Sequence, residues 1–287
     1  MTDHSTNKDN ANPLSKFFRQ PQIYLRLPSK GRWWPKDSIE MPANGELPVF
    51  AMTARDELLL KTPDAVMNGQ GTVDVIQSCI PAIRNAWVMP LVDLDSILIA
   101  IRQATYGNHM EFTNVCPHCK RKNDHALDLS VYTTRFVCPD YDQSLKFDTL
   151  EIYLKPNNFA NFNQTSIENY EQQKLLSVVQ DTSLPEEQKI AEFRRIFNNL
   201  VNITVEQVSA SVAAVKVANS EVVDNPEFIK EFFANCNKDI WNTVKAKLQE
   251  YSDIQQKSKE LTVTCEHEDC NKHYVTPIEF ETSHFFA

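Results

Sequence analysis

The sequence predicts an α+β fold, mainly helical, with a small N-terminal β region and a split ribbon built from two distant β-hairpin knuckles. Three observations predict it. Strand-like alternation of apolar and polar residues is confined to short stretches near residues 22–52, 110–155 and 261–280. Between them lie two long stretches with helical spacing and helix caps, 53–109 and about 158–257. Two cysteine pairs, some 150 residues apart, each sit between strand-like flanks. The expected organisation is a flexible tail (1–15), a β region (16–52), a helical region (53–109), a first ribbon half with further strands (110–155), a helical insertion (156–258) and a second ribbon half (259–287).

In the β region, Ile23-Tyr-Leu-Arg-Leu27 alternates in part. Pro42-Ala-Asn-Gly45 reads as a turn joining Ser38–Met41 to Leu47–Phe50 in a hairpin, because Asn-Gly tolerates the positive φ that a tight turn demands. In the helical region, Thr53 with Asp56 three residues on forms a capping-box-like start. Asn68-Gly69 is expected to end one short helix and Thr72 to cap another that runs through Cys79. Leu94, Ile97, Leu98 and Ile101 share one face of a third helix that stops before Gly107. In the insertion, Ser183-Leu-Pro-Glu-Glu and Asn225-Pro-Glu are helix starts, with proline in the first turn. The second of these helices carries Phe228, Phe232 and Phe233.

Composition narrows the function. The chain has 287 residues, 42% hydrophobic and 23% charged, which is ordinary for a globular protein with a sizeable core. Its net charge of -9 opposes a nucleic-acid partner, since displacing counterions from a polyanion needs clustered Lys and Arg. The greasiest run, Ala86 to Ile101, is broken by Asp93 and Asp95 and reads as a buried helix, not a membrane span. Residues 1–12 are polar, so synthesis in the cytoplasm is expected. The five glycines form no phosphate-binding loop, and neither a nucleophile elbow nor a Ser/His/Asp set is legible. The expectation is a protein with no catalytic activity and no small-molecule substrate.

Seven cysteines in such a chain point away from disulfides and toward a metal. The two segments, Phe112-Thr-Asn-Val-Cys116-Pro-His-Cys119 and Leu261-Thr-Val-Thr-Cys265-Glu-His-Glu-Asp-Cys270, each read as a hairpin whose turn bears two thiols. Two facing knuckles of this kind present four sulfurs at the corners of a tetrahedron. Soft thiolates suit zinc, and four of them leave no coordination position open for catalysis. Cys116, Cys119, Cys265 and Cys270 are therefore expected to hold one structural Zn2+ per chain. The wider spacing of the second pair admits His267 or His273 as a substitute for Cys270. The remaining cysteines, Cys79, Cys138 and Cys236, fit core packing. Cys116-Pro-His-Cys119 is also the dithiol sequence of strongly oxidising thioredoxin-like proteins, but the hydrophilic Lys120-Arg-Lys-Asn-Asp that follows offers no activating helix.

Partner contacts are expected on the β region and the tail (residues 1–15), not on the ribbon, the tail being suited to order on binding. Phe17, Phe18, Ile23 and Tyr24 follow the polar tail at once, and Trp33 and Trp34, read as strand neighbours, would point to opposite sides so that one is free for a partner.

Several segments carry a resemblance in order: Leu27-Pro-Ser-Lys-Gly-Arg, Met52-Thr-Ala-Arg-Asp-Glu, Pro63-Asp-Ala-Val-Met-Asn-Gly69, Ile80-Pro, and Ala100-Ile-Arg-Gln-Ala-Thr-Tyr-Gly107 before the first knuckle. Val222-Val-Asp-Asn-Pro-Glu-Phe-Ile-Lys-Glu-Phe232, the second knuckle and a closing Phe285-Phe286 follow. From about residue 22 onward the chain resembles the baseplate hub proteins of T-even-like, contractile-tailed bacteriophages. The resemblance implies a role in virion assembly: building or joining the central hub on which the tail tube starts. Its partners would be other tail and baseplate proteins, and its locations the host bacterial cytoplasm during assembly and the virion baseplate. The alternative it leaves is a tape-measure chaperone that departs once the tail is built.

Overall fold

The computed structural model describes residues 14, 17–62, 69–179, 185–218 and 222–278. The tail expected over 1–15, the helix end at Asn68, the cap at Ser183 and Phe285-Phe286 lie largely or wholly outside them. Among the described residues there are seven α-helices and small antiparallel sheets, in keeping with a mainly helical α+β fold.

Strand β1 (Pro21–Leu25) pairs with β2 (Leu47–Phe50), Leu25 opposite Leu47. The hairpin expected from Ser38–Met41 is therefore corrected. Pro42–Gly45 does form a turn, with Gly45 N–H donating to the Pro42 carbonyl and φ of 72° at Gly45. The strand it feeds pairs instead with the earlier segment, while Ile39 bridges Ile83. Helix α1 (Ala54–Leu60) starts with the expected box: the Asp56 N–H donates to Thr53 Oγ1, and the Thr53 N–H to Asp56 Oδ2. In α2 (Gln70–Cys79) the N-cap is Gly69, at φ 78°, and Thr72 lies buried inside the first turn, so Thr72 is not the cap.

Helix α3 (Leu91–Tyr106) is the axis of the N-terminal half. Ile97, Leu98, Ile99, Ala100 and Ile101 are all buried, so the helix is covered on every side, as a run of five consecutive apolar residues requires. Gly107 closes it with a positive φ. Around it pack β1, β2 and α2 in one core with Leu127, Leu129, Tyr132 and Ile278. Hairpin β3 (His109–Val115) and β4 (Lys122–Asp128) follows in register, Val115 opposite Lys122.

A second core rests on a four-stranded sheet of order β5 (Leu145–Lys146), β6 (Leu150–Leu154), β7 (Val212–Val217) and β8 (Val222–Val223). Ile152 and Val215 are partners in it, and against the sheet lie Ile229 and Phe233 of α6 (Pro226–Asn235) and Val244 and Tyr251 of α7 (Lys238–Lys259). The long connection from β6 to β7 is a helical hairpin, α4 (Phe159–Val179) and α5 (Glu186–Ala210). The helical insertion expected over 156–258 is thus interrupted by β7 and β8. Val212-Ala-Ala-Val-Lys-Val217 is short and rich in β-branched residues, and pairing with β6 decides its state. Asn225 caps α6 through the Glu227 N–H, with Pro226 in the first turn, as expected. Hairpin β9 (Glu260–Thr264) and β10 (His273–Pro277) closes the described chain. Among the described residues no helix is long and apolar enough to cross a membrane.

Candidate metal centre

The two hairpins meet turn to turn, and their backbones solve the same problem in the same way. At the first, Cys116 N–H donates to the Arg121 carbonyl and Lys120 N–H to the Cys116 carbonyl, with Lys120 at φ 61°. At the second, Cys265 N–H donates to the Lys272 carbonyl, and both Cys270 and Asn271 N–H groups to the His267 carbonyl, with Asn271 at φ 40°. In each knuckle the first cysteine extends the ladder. The second stands just before a left-handed residue that turns the chain back. The two additional residues of the second pair are absorbed in this turn without displacing Cys270.

The result is a cluster of four sulfurs from segments about 150 residues apart. All four lie within 4.8 Å of one another. Cys116 Sγ is 3.9 Å from Cys270 Sγ and Cys119 Sγ is 3.6 Å from Cys265 Sγ. These distances are too long for disulfides. They match a tetrahedron with Zn–S near 2.3 Å, whose edges are about 3.8 Å. Cys116 and Cys265 are buried, and Val263 and Tyr274 pack beside them. The thiols are unequal: the Arg121 backbone N–H holds Cys119 down to about 6, whereas desolvation pushes Cys265 up to about 12. Deprotonating all four at this spacing, Cys265 included, requires a cation between them to offset their repulsion. The residues present therefore fit a soft divalent metal.

The histidines do something else. His267 Nε2 donates to the Lys122 carbonyl at 3.0 Å, and His273 Nδ1 faces Thr264 Oγ1 at 2.8 Å. Both are spent on backbone or hydroxyl partners, and the four-atom cluster contains Cys270 instead. His118 is exposed on the first knuckle. Cys119 leads into β4 and not into a helix, so the arrangement that activates a thioredoxin-like thiol is missing here.

Sequence reasoning missed the groups that lock the halves together. Asn123, buried, accepts from Glu266 N–H at 2.8 Å and donates to the Arg121 carbonyl at 3.1 Å. The Tyr274 hydroxyl donates to Asn114 Oδ1 at 2.6 Å, and Arg121 pairs with Asp269 at 2.7 Å. These cross-links join residues remote in sequence, and no local signal marks them. A signal did exist for a second buried polar centre, the carboxylates that interrupt the greasy run. Asp93, at the start of α3, accepts from Ser29 N–H at 2.8 Å, from Ser29 Oγ at 2.5 Å and from Trp34 Nε1 at 2.8 Å. Asp95 pairs with Lys259 at 2.7 Å.

Those bonds place the tryptophans. Residues 33 and 34 lie in an irregular turn and not in a strand, with Trp33 at φ 64°. Trp34 is 9% exposed and belongs to the core, so it has no free face for a partner. Trp33 is half-buried, edge-on to Tyr141 with Arg32 over its ring. Phe17 (74%), Phe18 (57%) and Tyr24 (64%) are largely exposed to solvent. Arg19 fastens them to the body by donating to the carbonyls of Ala51 and Ser78. Cys79 is fully buried and its thiol is pushed up to about 12 by that burial, which fits packing.

No curated protein and no solved structure gives a significant match to the chain. One family model does, described as T4 bacteriophage base plate protein, and it covers residues 35–287, including both knuckles, the helical hairpin between them and the four-stranded sheet. With that match spanning most of its length, the chain belongs to the T4 bacteriophage base plate protein family.

Proposed function

We propose that the chain is a structural protein that builds or joins the central hub of a contractile phage baseplate, with one zinc ion on Cys116, Cys119, Cys265 and Cys270 as a closed clamp. The family match across residues 35–287 carries the baseplate reading and implies other phage structural proteins as partners. The hub role rests further on the ordered motifs from Leu27 to Phe286. The sulfur spacing supports the metal. Bound there, zinc would supply charge neutralisation and cohesion. The four thiols would fill its coordination, leaving no position for water or substrate.

The clamp suits the topology. It ties the two sides of the segment carrying α4 to α7, so that the cores around α3 and around the four-stranded sheet are closed by one cross-link. The exposed aromatics Phe17, Phe18 and Tyr24, with the half-buried Trp33, form the surface proposed for tail partners. Mass spectrometry of purified virions, with cryo-electron microscopy of the baseplate, tests the reading. It predicts the chain in the mature particle at the hub. Its absence from virions, together with co-purification with the tape-measure protein alone, would overturn it in favour of the chaperone.

A further inference from the structure

Helix α5 carries an apolar line that is covered at one end and bare at the other. The face with Ile196, Asn199 and Ile203 turns to α4: both isoleucines are buried, and Asn199 Nδ2 donates to Gln172 Oε1 at 3.4 Å. About a third of a turn away, Ile190, Phe193, Phe197, Val201, Val205 and Val208 follow one another at intervals of three and four residues. The last two lie in the core of the four-stranded sheet, with Val208 buried. The first four leave that core and run out along the helix, each between 46% and 61% exposed. With a full side-chain area of about 150–250 Å2 for residues of this size, they bare about 400 Å2 of apolar surface in one strip, the scale at which an exposed patch marks an interaction site.

Spacing and charge decide what fits the strip. Ile190, Phe193 and Phe197 have the a, d, a spacing of a coiled-coil seam, so the face suits another helix. Glu187 and Arg194, one heptad apart, flank the strip on the same side, and both are exposed. Among the described residues neither has an ion-pair partner, whereas Glu192 and Arg195 pair with each other. A second copy of α5 laid antiparallel brings each Glu187 to Arg194 of the other copy, and the two-fold axis repeats the pair. The same alignment sets Ile190 against Phe193 of the other copy, likewise twice. A parallel copy instead sets Lys189 against Arg194, a like-charge contact at the g and e positions. The strip is therefore self-complementary in one orientation. Two strips together remove about 800 Å2, and the stems of the flanking residues bring the total toward about 1,200 Å2, the lower end of specific interfaces.

We infer that two copies of the chain associate through α5, packed antiparallel along Ile190, Phe193, Phe197 and Val201 with reciprocal Glu187–Arg194 pairs. Sedimentation equilibrium of the full chain from about 1 to about 200 µM tests it, the span in which an interface of this size dissociates. The expected result is a reversible monomer–dimer equilibrium. Phe197→Asp should abolish it while leaving the urea midpoint nearly unchanged, because the ring is exposed. Glu187→Arg and Arg194→Glu should each weaken it at least about fivefold, since the symmetry turns two attractions into two repulsions. Glu187→Arg combined with Arg194→Glu should restore it to within about twofold of the native chain. A chain monomeric at every concentration, an assembly other than a dimer, a dimer indifferent to Phe197→Asp, or charge swaps without loss and rescue would each overturn the inference.

Discussion

Replacing Asp93 by asparagine should flatten the dependence of stability on pH. The carboxyl is fully buried and held at about 6, against an ordinary 3.8, because burial outweighs the hydrogen bonds from Ser29 and Trp34 that pull it down. Folding therefore favours the protonated form. The group's contribution is most favourable below its unfolded value near 3.8 and is lost as pH rises through about 6. The full shift corresponds to about 3 kcal/mol, of which about 2 kcal/mol falls between roughly pH 4.5 and pH 7.5. Asp93→Asn removes the titration while keeping one acceptor for the Ser29 and Trp34 donors. Urea unfolding of both proteins at the two pH values isolates the difference, since every other ionisation is common to the pair. The native protein should lose about 2 kcal/mol more than the variant as pH rises across this range. Parallel profiles would refute the claim that a buried, charge-disfavoured Asp93 anchors the loop.

Trp34→Ala should lower stability by about 3–5 kcal/mol, measured as a fall in the urea midpoint, because it empties a core site and removes a donor to Asp93. Phe17→Ala with Phe18→Ala should leave that midpoint nearly unchanged and weaken co-sedimentation with tail proteins, since both rings are exposed. Cys116→Ser should abolish metal retention and expose the second hairpin to protease, whereas Cys79→Ser should cost about 1–2 kcal/mol with metal content intact.

Features encoded within a few residues were legible in the sequence. The Thr53–Asp56 box, the Asn225-Pro226 start, the glycine closing α3 and the hairpin form of both knuckles each depend on local backbone chemistry. The meeting of the four cysteines was legible too, because paired thiols between strand-like flanks are a pattern of their own. Features decided by distant partners were not. Leu47–Phe50 was expected to pair with Ser38–Met41 across the local turn, and packing on α3 pairs it with the earlier Pro21–Leu25 instead. Val212–Val217 lies between helices, and pairing with β6 overrides its neighbours. Trp34 read as a strand residue until the acceptor on Asp93, 59 positions away, fixed it in the core. Asn123 gave no sign at all, since its role is to satisfy a backbone N–H on the opposite knuckle.

The metal content of the purified full chain tests the central claim most directly. Elemental analysis of protein expressed and purified without chelators should find close to one zinc per chain, retained through dialysis. Cobalt substitution should give the intense thiolate-to-metal bands and tetrahedral visible spectrum of a four-sulfur site. Protein that is folded yet carries no zinc, or cobalt spectra showing nitrogen or water in the coordination sphere, would contradict a closed clamp on Cys116, Cys119, Cys265 and Cys270.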